Sequence, residues 1–502
     1  MDTQVIVVGA GPVGLMLAAE LRLGGAEVVV VERLAAPMTE SRASTLHART
    51  METFDQRGLL DRLGDPPQER MGHFGGLPLD LGHLRTRFPG QWKVPQARVE
   101  AVLARWADEL GADLWRGHEL VDLTVGTGLV RARLAGPGGP VDLSGGYLVG
   151  CDGERSTVRR LAGIGFPGSP ATRLLLRADV AGVTVSDRRF ERLPGGLAIA
   201  ARRPDGVTRV MVSDFTAPAR HNDDDPSFVD VCRAWHRVTG EDISSGVPLW
   251  VNAFGNASRL AGRYRDGRVL LAGDAAHQQM PAGGQAINLG LQDAVNLGWK
   301  LAAEVGGRAP TGLLDTYHQE RHPVAARVLG AIETQALLLL GERRVEPLRA
   351  VWAELLAHPR VRDHLASTIS GLDVRYGDGR HLLVGARMPH IELVTAGGAV
   401  TSTTTLLRRG RSVLLDLSAD PVRRRWLREV TSGWRWLEPI SAAPAPASAA
   451  AGWETMLIRP DGYLAWVGSR AADPRPALRR WVGHPAREAV TTSAAGASTQ
   501  AE

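Results

Sequence analysis

The chain has 502 residues, 44% of them apolar and 23% charged, with a formal net charge of +5. That length is enough for several packed domains, and that balance excludes a wholly disordered or fibrous chain. Of the 59 basic residues only Lys93 and Lys300 are lysines, and the arginines are scattered among acids, so the basic excess reads as composition rather than as a nucleic-acid surface.

The pattern opens with a βαβ unit. Residues 4–8 are a short apolar strand broken at Gly9. Pro12–Leu23 has helical spacing, with Leu15, Met16, Ala19 and Leu23 on one face, and the Val-rich run 27–31 reads as a buried parallel strand. Residues 45–63 are expected to be helical with a break at Gly58, and the turn-rich stretch 66–90 to leave the first domain. A helix over 98–110 turns Val99, Val102, Leu103 and Trp106 inward, and strands follow over 119–134 and 141–149. Residues 173–260 hold strand-like stretches, among them 197–201 and 208–213, and read as a sheet domain inserted into the first. A buried strand at 269–272, a long helix at 285–304 and a helical region at 313–336 return to the first domain. Beyond about residue 385 come a strand at 412–417, a helix at Pro421–Val430, a Pro/Ala/Ser loop at 441–451 and a hairpin around Pro460-Asp461-Gly462.

Three loops carry the chemistry. The first, Gly9-Ala10-Gly11-Pro12-Val13-Gly14, sits between strand and helix, and Glu32 closes the second strand 18 residues later. This is the context of a dinucleotide fingerprint. Gly9 permits the tight turn, Gly11 lets backbone N–H groups and the positive helix end meet a pyrophosphate, Pro12 opens the helix, Gly14 allows close packing, and Glu32 accepts from ribose hydroxyls. Arg33, which follows Glu32, and Arg42 are grouped with the cofactor residues. The second loop is Cys151-Asp152-Gly153-Glu154-Arg155-Ser156, and the third is Gly273-Asp274-Ala275-Ala276-His277, each directly after an apolar strand. The third continues through Pro281 and Gly283-Gly284 into the long helix at Gln285-Ala286-Ile287-Asn288. Asp274 can accept from a sugar hydroxyl, and the helix start offers N–H groups and a positive dipole end.

Two cysteines, Cys151 and Cys232, make neither a disulfide framework nor a four-ligand zinc site, and no His/Cys/carboxylate cluster has metal-ligand spacing, so no metal is expected. No basic leader precedes the first apolar stretch, and no run approaches the ~18–20 uninterrupted apolar residues of a membrane span. The expectation is a cytoplasmic protein without membrane or nucleic-acid partners, with a homodimer left open.

In this order and spacing the three loops resemble those of the group A flavoprotein monooxygenases. Further segments narrow the likeness: Ser41-Arg42, Ala48-Arg49-Thr50-Met51-Glu52, Phe254 to Arg259, and Gly290 to Lys300 are similar to bacterial aromatic polyketide hydroxylases. The resemblance implies an α/β fold: a Rossmann-like FAD-binding domain, an inserted mixed β-sheet substrate domain and a thioredoxin-like C-terminal domain. It divides the chain into FAD-binding segments at 1–72, 96–172 and 261–384, the last with a helical linker. Substrate-domain segments fall at 73–95 and 173–260, the C-terminal domain at 385–486, and a disordered tail at 487–502. The first loop then binds the FAD pyrophosphate, Asp152-Gly153 serves FAD and the nicotinamide donor, and Gly273-Asp274 holds the ribitol. Gln96 lies near the isoalloxazine, and the helix start, with Pro281, Gly283, Gly284, Gln285, Ala286, Ile287 and Asn288, faces the flavin.

The implied activity is NAD(P)H-dependent hydroxylation, with NADPH the favoured donor. One atom of O2 passes from a C4a-hydroperoxyflavin into a polycyclic aromatic polyketide in antibiotic biosynthesis. The flavin carries the oxygen, so no catalytic side chain is assigned, and Arg42, His277 and Pro281 stand as candidates. His47, His73 and His83 are weaker candidates for approaching a substrate. Alternatives are a Baeyer–Villiger oxygenase of the same family, an antibiotic-inactivating hydroxylase, and a non-enzymatic binder on the same fold. Ala286, where many relatives carry Gly, and Gln278-Gln279-Met280 depart from the family at the flavin–substrate junction. The C-terminal domain lacks a Cys-x-x-Cys pair and so has no thioredoxin redox chemistry.

Overall fold

A parallel sheet forms the spine of the first domain. Thr3–Val8 lies at its centre, with Val28–Glu32 and then Asp113–Arg116 on one side, and Gly139–Gly150 and then Val269–Leu271 on the other. The computed structural model describes residues 1–38, 44–203, 205–217, 226–377, 382–418, 420–444, 453–469 and 471–485. The long strand Gly139–Gly150 does two jobs. Its first half pairs antiparallel with Val130–Gly136, itself paired with Glu119–Val125, and its second half runs parallel to Thr3–Val8. The central strands are almost wholly apolar because both faces are covered. The helix Pro12–Leu23 packs directly on the helix Gln285–Val305. A Cβ on Gly290 would sit 2.6 Å from a Val13 methyl, and one on Gly298 would sit 2.4 Å from the Glu20 Cβ. Only glycine at these two positions lets the helices lie so close.

The inserted domain is a five-stranded antiparallel sheet in the order Arg188–Leu193, Gly196–Arg202, Thr208–Asp214, Leu174–Ala181, Val247–Gly255. One face, with Ala178, Val180, Val210 and Val212, is buried under the helix Phe228–Thr239. The other face turns Leu175 and Leu197 into the core of the first domain. In the C-terminal unit, Ser412–Asp416, the helix Pro421–Val430 and Leu437–Pro444 make a parallel crossover. Thr455–Ile458 and Leu464–Gly468 add an antiparallel hairpin, which gives the thioredoxin-like arrangement.

Several expectations change. Thr45–His47 is a strand, not the start of a helix, because its backbone pairs with Gln91–Lys93; the helix begins at Ala48 and ends at Gly58. The stretch 66–90 contains the hairpin Met71–Phe74 and Leu77–Asp80. Phe74, Leu79, Leu81 and Leu84 pack with Leu338, Leu356, Ala366 and Ile369, not in the core of the inserted sheet. The helices Phe228–Thr239, Glu346–Ala357 and Pro359–Ile369 were not legible as such. Thr316–Leu340 is long and apolar enough to cross a membrane by length and composition, although charged residues interrupt its apolar run. It packs as a core helix: Val324, Ala325, Val328 and Ile332 join the first domain's core, and Arg321 is ion-paired within it. The expected tail at 487–502 and most of the 441–451 loop lie outside the described residues.

A buried polar knot docks the C-terminal hairpin onto the first domain. Arg459 donates to both Glu320 oxygens, at 2.6 and 2.8 Å, and to the Asp461 carboxylate. Lys300 Nζ donates to Glu320 at 2.8 Å and Trp299 Nε1 to Asp461 at 3.2 Å. The Pro460 carbonyl accepts from Gln56 and from Arg57, whose guanidinium is also paired with Glu20. Burial lowers the Lys300 pKa to about 8, whereas Arg459 and Lys300 outweigh burial at Glu320 and hold that carboxyl well below its usual range. Arg459→Met leaves two carboxylates buried without their main partner. We expect it to lower stability by about 3–5 kcal/mol, read as a fall in the urea unfolding midpoint.

Candidate active site

All three loops emerge at the carboxyl ends of adjacent parallel strands, which is where open α/β sheets bind ligands. Gly9 follows Thr3–Val8, Cys151-Asp152-Gly153 follows Gly139–Gly150, and Gly273–Ala275 follows Val269–Leu271. Gly9 has φ 105°, and a Cβ there would lie 2.4 Å from the Cys151 carbonyl oxygen. A Cβ on Gly14 would lie 1.9 Å from the Gly9 oxygen. At Gly11, by contrast, a Cβ would meet nothing within 4 Å. Two glycines are therefore demanded by the fold, and the third borders open space at a helix start that has no side-chain cap. The Glu32 carboxylate accepts from the N–H groups of Ala10 and Leu34, both at 2.8 Å, and so braces the loop while keeping lone pairs for a ribose. Arg33 is exposed. Arg42 lies outside the described residues.

The second loop is organised by Asp152, which accepts from Ser156 Oγ at 2.6 Å and from the Val158 N–H at 3.1 Å. Burial raises its pKa. Gly153 has φ 80° with open space beside it. Gln96 opens the helix Gln96–Glu109, and its amide donates to Glu100 at 2.8 Å. Burial pushes the Cys151 thiol well above its ordinary value, in keeping with an inert, small apolar role.

The third loop hangs on a residue that sequence reasoning quoted without giving it a role. Asp293, on the long helix and fully buried, accepts from the Gly273 N–H at 3.2 Å, pairs with His277 Nε2 at 2.7 Å and accepts from Arg321 Nε at 2.7 Å. Burial alone would raise its pKa; Arg321 and then His277 outweigh burial and hold it low. Arg321 also donates to the Leu289 carbonyl and to Tyr376. His277 is thus in the core as a tether, and Asp274 is exposed in the turn beside it. The signal that could have exposed this knot is Asp293, Asn296 and Lys300 in an otherwise apolar helix, since buried charges are kept only when paired.

Pro281 is exposed, and Gly283 and Gly284 both have left-handed backbone, at φ 63° and 67°, before the helix begins at Gln285. This helix start also lacks a side-chain cap, so its first N–H groups are open to an acceptor. Ala286 and Ile287 are half-buried. The Asn288 side chain is fully engaged within the protein. It accepts from the His47 N–H and from Thr50 Oγ1, and donates to the Thr45 and Gly284 carbonyls, at 2.6–2.9 Å. Two uncapped helix starts, one open glycine and a braced acid suit a long, doubly phosphorylated cofactor such as FAD.

Comparison with known proteins decides the family. Residues 2–331 match the FAD binding domain, and residues 381–485 match the C-terminal domain of aromatic-ring hydroxylases. The chain belongs to the FAD-dependent aromatic-ring hydroxylases. It is 42% identical to the 12-dehydrotetracycline 5-monooxygenase/anhydrotetracycline 6-monooxygenase of Streptomyces rimosus, over 97% of this chain and 100% of that protein. The structure of CabE, an aromatic hydroxylase from angucycline biosynthesis, matches with a TM-score of 0.92 at 48% identity, over 97% of this chain and 100% of that one. BexE, studied for oxidation during BE-7585A biosynthesis, matches with a TM-score of 0.91 at 48% identity, over 96% and 100%. The protein is accordingly a flavin monooxygenase that uses FAD, with NAD(P)H the family's usual donor.

Two measurements follow from this geometry. In this hydroxylase Gly11→Val should fold but purify colourless, because its side chain occupies the open cradle alone, whereas Gly14→Ala should fail to fold, because its Cβ strikes backbone. Visible absorption and circular dichroism distinguish the two. The second concerns pH. Burial lowers the His47 pKa to about 4 and the His73 pKa to about 3, so both rings stay neutral when folded. An unfolded histidine titrates near 6.5, so the unfolded chain binds more protons between about pH 6.5 and 4. Stability should then fall as pH falls through that window, by up to about 1.4 kcal/mol per pH unit per histidine. The drop in Tm from pH 7 to 5 should shrink in a His47→Gln, His73→Gln double variant.

Proposed function

We propose that this enzyme hydroxylates a polycyclic aromatic polyketide in antibiotic biosynthesis. The observation that carries this reading is the face of the inserted sheet that is turned toward the first domain. Its cross-strand rows run Leu197, Ser213, Leu175, Phe254 and Ile199, Met211, Arg177, Asn252. Leu175 and Leu197 are buried against the first domain, while Ile199 and Phe254 are half-buried beside them. A broad, mostly apolar surface with a few polar groups suits a large flat ring system. The relatives named for tetracycline and angucycline chemistry, matched over their whole length, support the same substrate class.

Bound FAD, reduced by NAD(P)H, supplies the oxygen chemistry, and the chain's residues bind, orient and exclude water. Gly9, Gly11, Pro12 and Gly14 hold the pyrophosphate at a helix start, and Glu32, with Arg33 beside it, reads the ribose. Asp152 and Gly153 shape the neighbouring turn, and Asp274 accepts from the ribitol. The N–H groups from Gln285 to Asn288 stabilise negative charge on the flavin's pyrimidine edge. Gln96 would lie near the isoalloxazine, and Pro281 would shape the junction with the substrate. His277 acts as a tether for Asp274 rather than as a proton carrier, since Asp293 holds it in the core. Segments 73–95 and 173–260 cover the flavin domain built from 1–72, 96–172 and 261–384. Residues 385–486 serve as a structural unit. The setting is the cytoplasm, with a small aromatic substrate and O2 as partners.

The test supplies an angular or linear polycyclic phenol with NADPH and labelled O2, and follows NADPH oxidation, peroxide release and product mass. Substrate-stimulated NADPH oxidation with one labelled oxygen on a ring carbon is expected. A labelled ester or lactone would transfer the enzyme to Baeyer–Villiger chemistry. No label in any product across a broad aromatic panel would overturn the reading.

A further inference from the structure

The Gly283-Gly284 turn is held from one side by the segment 45–50. The Gly284 carbonyl accepts from Asn288 Nδ2 at 2.8 Å, and the Gly283 carbonyl accepts from His47 Nε2 at 2.7 Å. A carbonyl can only accept, so this nitrogen carries the proton; the ring is buried and neutral, and its Nδ1 has no partner among the described residues. Nε2 therefore acts as a donor to the carbonyl one residue before the cap of the helix Gln285–Val305, its single hydrogen-bond target among the described residues. The Gly283 carbonyl is thus tied to the 45–50 segment and the Gly284 carbonyl to Asn288 of the helix itself, which together fix the turn that presents the N–H groups of the first helical turn. Among the described residues the His47 side chain makes no other hydrogen bond, and nothing in the flavin assignment above uses it.

We propose that His47 is a positioning residue, which through the Gly283 carbonyl sets the aim of the helix start at the flavin's pyrimidine edge. The inference rests on the flavin reading above. It is separable from a purely structural role because the strand Thr45–His47 is anchored independently of this side chain. Asn288 binds the backbone N–H of residue 47 and the carbonyl of Thr45, and neither bond uses the residue-47 side chain.

The experiment compares the full-length His47→Gln and His47→Leu variants with the unaltered enzyme. The glutamine amide can place an N–H where Nε2 stood; leucine fills similar space without a donor. Three quantities are read: FAD affinity by flavin fluorescence, the visible spectrum of bound flavin, and the midpoint potential of the bound flavin. His47→Leu is expected to bind FAD roughly two- to tenfold more weakly. It should also shift the flavin spectrum and lower the potential, because a mis-aimed helix start stabilises the charged reduced flavin less. His47→Gln should restore all three toward the unaltered enzyme. If His47→Leu does not fold, His47→Asn, whose amide is too short to reach Gly283, replaces it with the same expected losses. Unchanged affinity, spectrum and potential in the Leu or Asn variant would overturn the proposal, as would equal losses in the Gln and Leu variants. A colourless unaltered enzyme that does not take up FAD would instead overturn the flavin reading.

Discussion

One buried carboxylate connects the layers of this enzyme. Asp293 sits in the middle of the long helix, out of water, where an ionised acid is tolerated only if its charge is met. Arg321 from the next helix, His277 from the third loop and the Gly273 N–H meet it. The loop that carries Asp274 is thereby fixed to the helix whose start forms the other half of the site. Removing Arg321 or His277 leaves a buried carboxylate without its partner, so loop, helix and neighbouring helix are bound to one another through a single group. Such bracing is what electrostatic stabilisation needs, because dipoles that must reorient during a reaction lose most of their advantage.

The same device recurs at the far end of that helix. Asn296, Trp299 and Lys300 meet Glu320 and the Pro460-Asp461-Gly462 turn, and Arg459 joins both carboxylates. The C-terminal unit is thus attached through buried charges as well as through apolar contacts such as Tyr463 and Trp481 against the first domain. It lacks the cysteine pair of a redox domain, and its closing turn instead satisfies Gln56, Arg57 and Arg387 of the surrounding structure. The same helix therefore starts beside the third loop and carries, near its other end, the groups that meet the C-terminal hairpin.

Much of the site was legible in the residues. Gly9, Gly11 and Gly14 with Glu32 announce a cofactor loop because each has a separate steric or bonding reason, and the structure gives Gly9 its left-handed backbone and Gly14 its close packing. Sequence spacing also gave the boundaries of Pro12–Leu23 and Pro421–Val430 directly. Thr45–His47 was misread as helix because three residues carry almost no periodicity, and their strand identity comes from Gln91–Lys93, far along the chain. The hairpin at 71–80 was read only as turns for the same reason.

What the sequence by itself determined is whatever depends on neighbours a few residues away: the βαβ unit, the glycine loops, the uncapped helix starts and the helix-forming stretches. Those features follow from backbone sterics and from side-chain period, which are local. What only the tertiary structure decided is which polar groups meet. Asp293 with His277 and Arg321, His47 with Gly283, and Arg459 with Glu320 join residues 16 to 236 positions apart. No local rule pairs them. They are brought together when apolar faces bury, and burial then makes each pairing obligatory, since a charge or donor removed from water must find its partner inside.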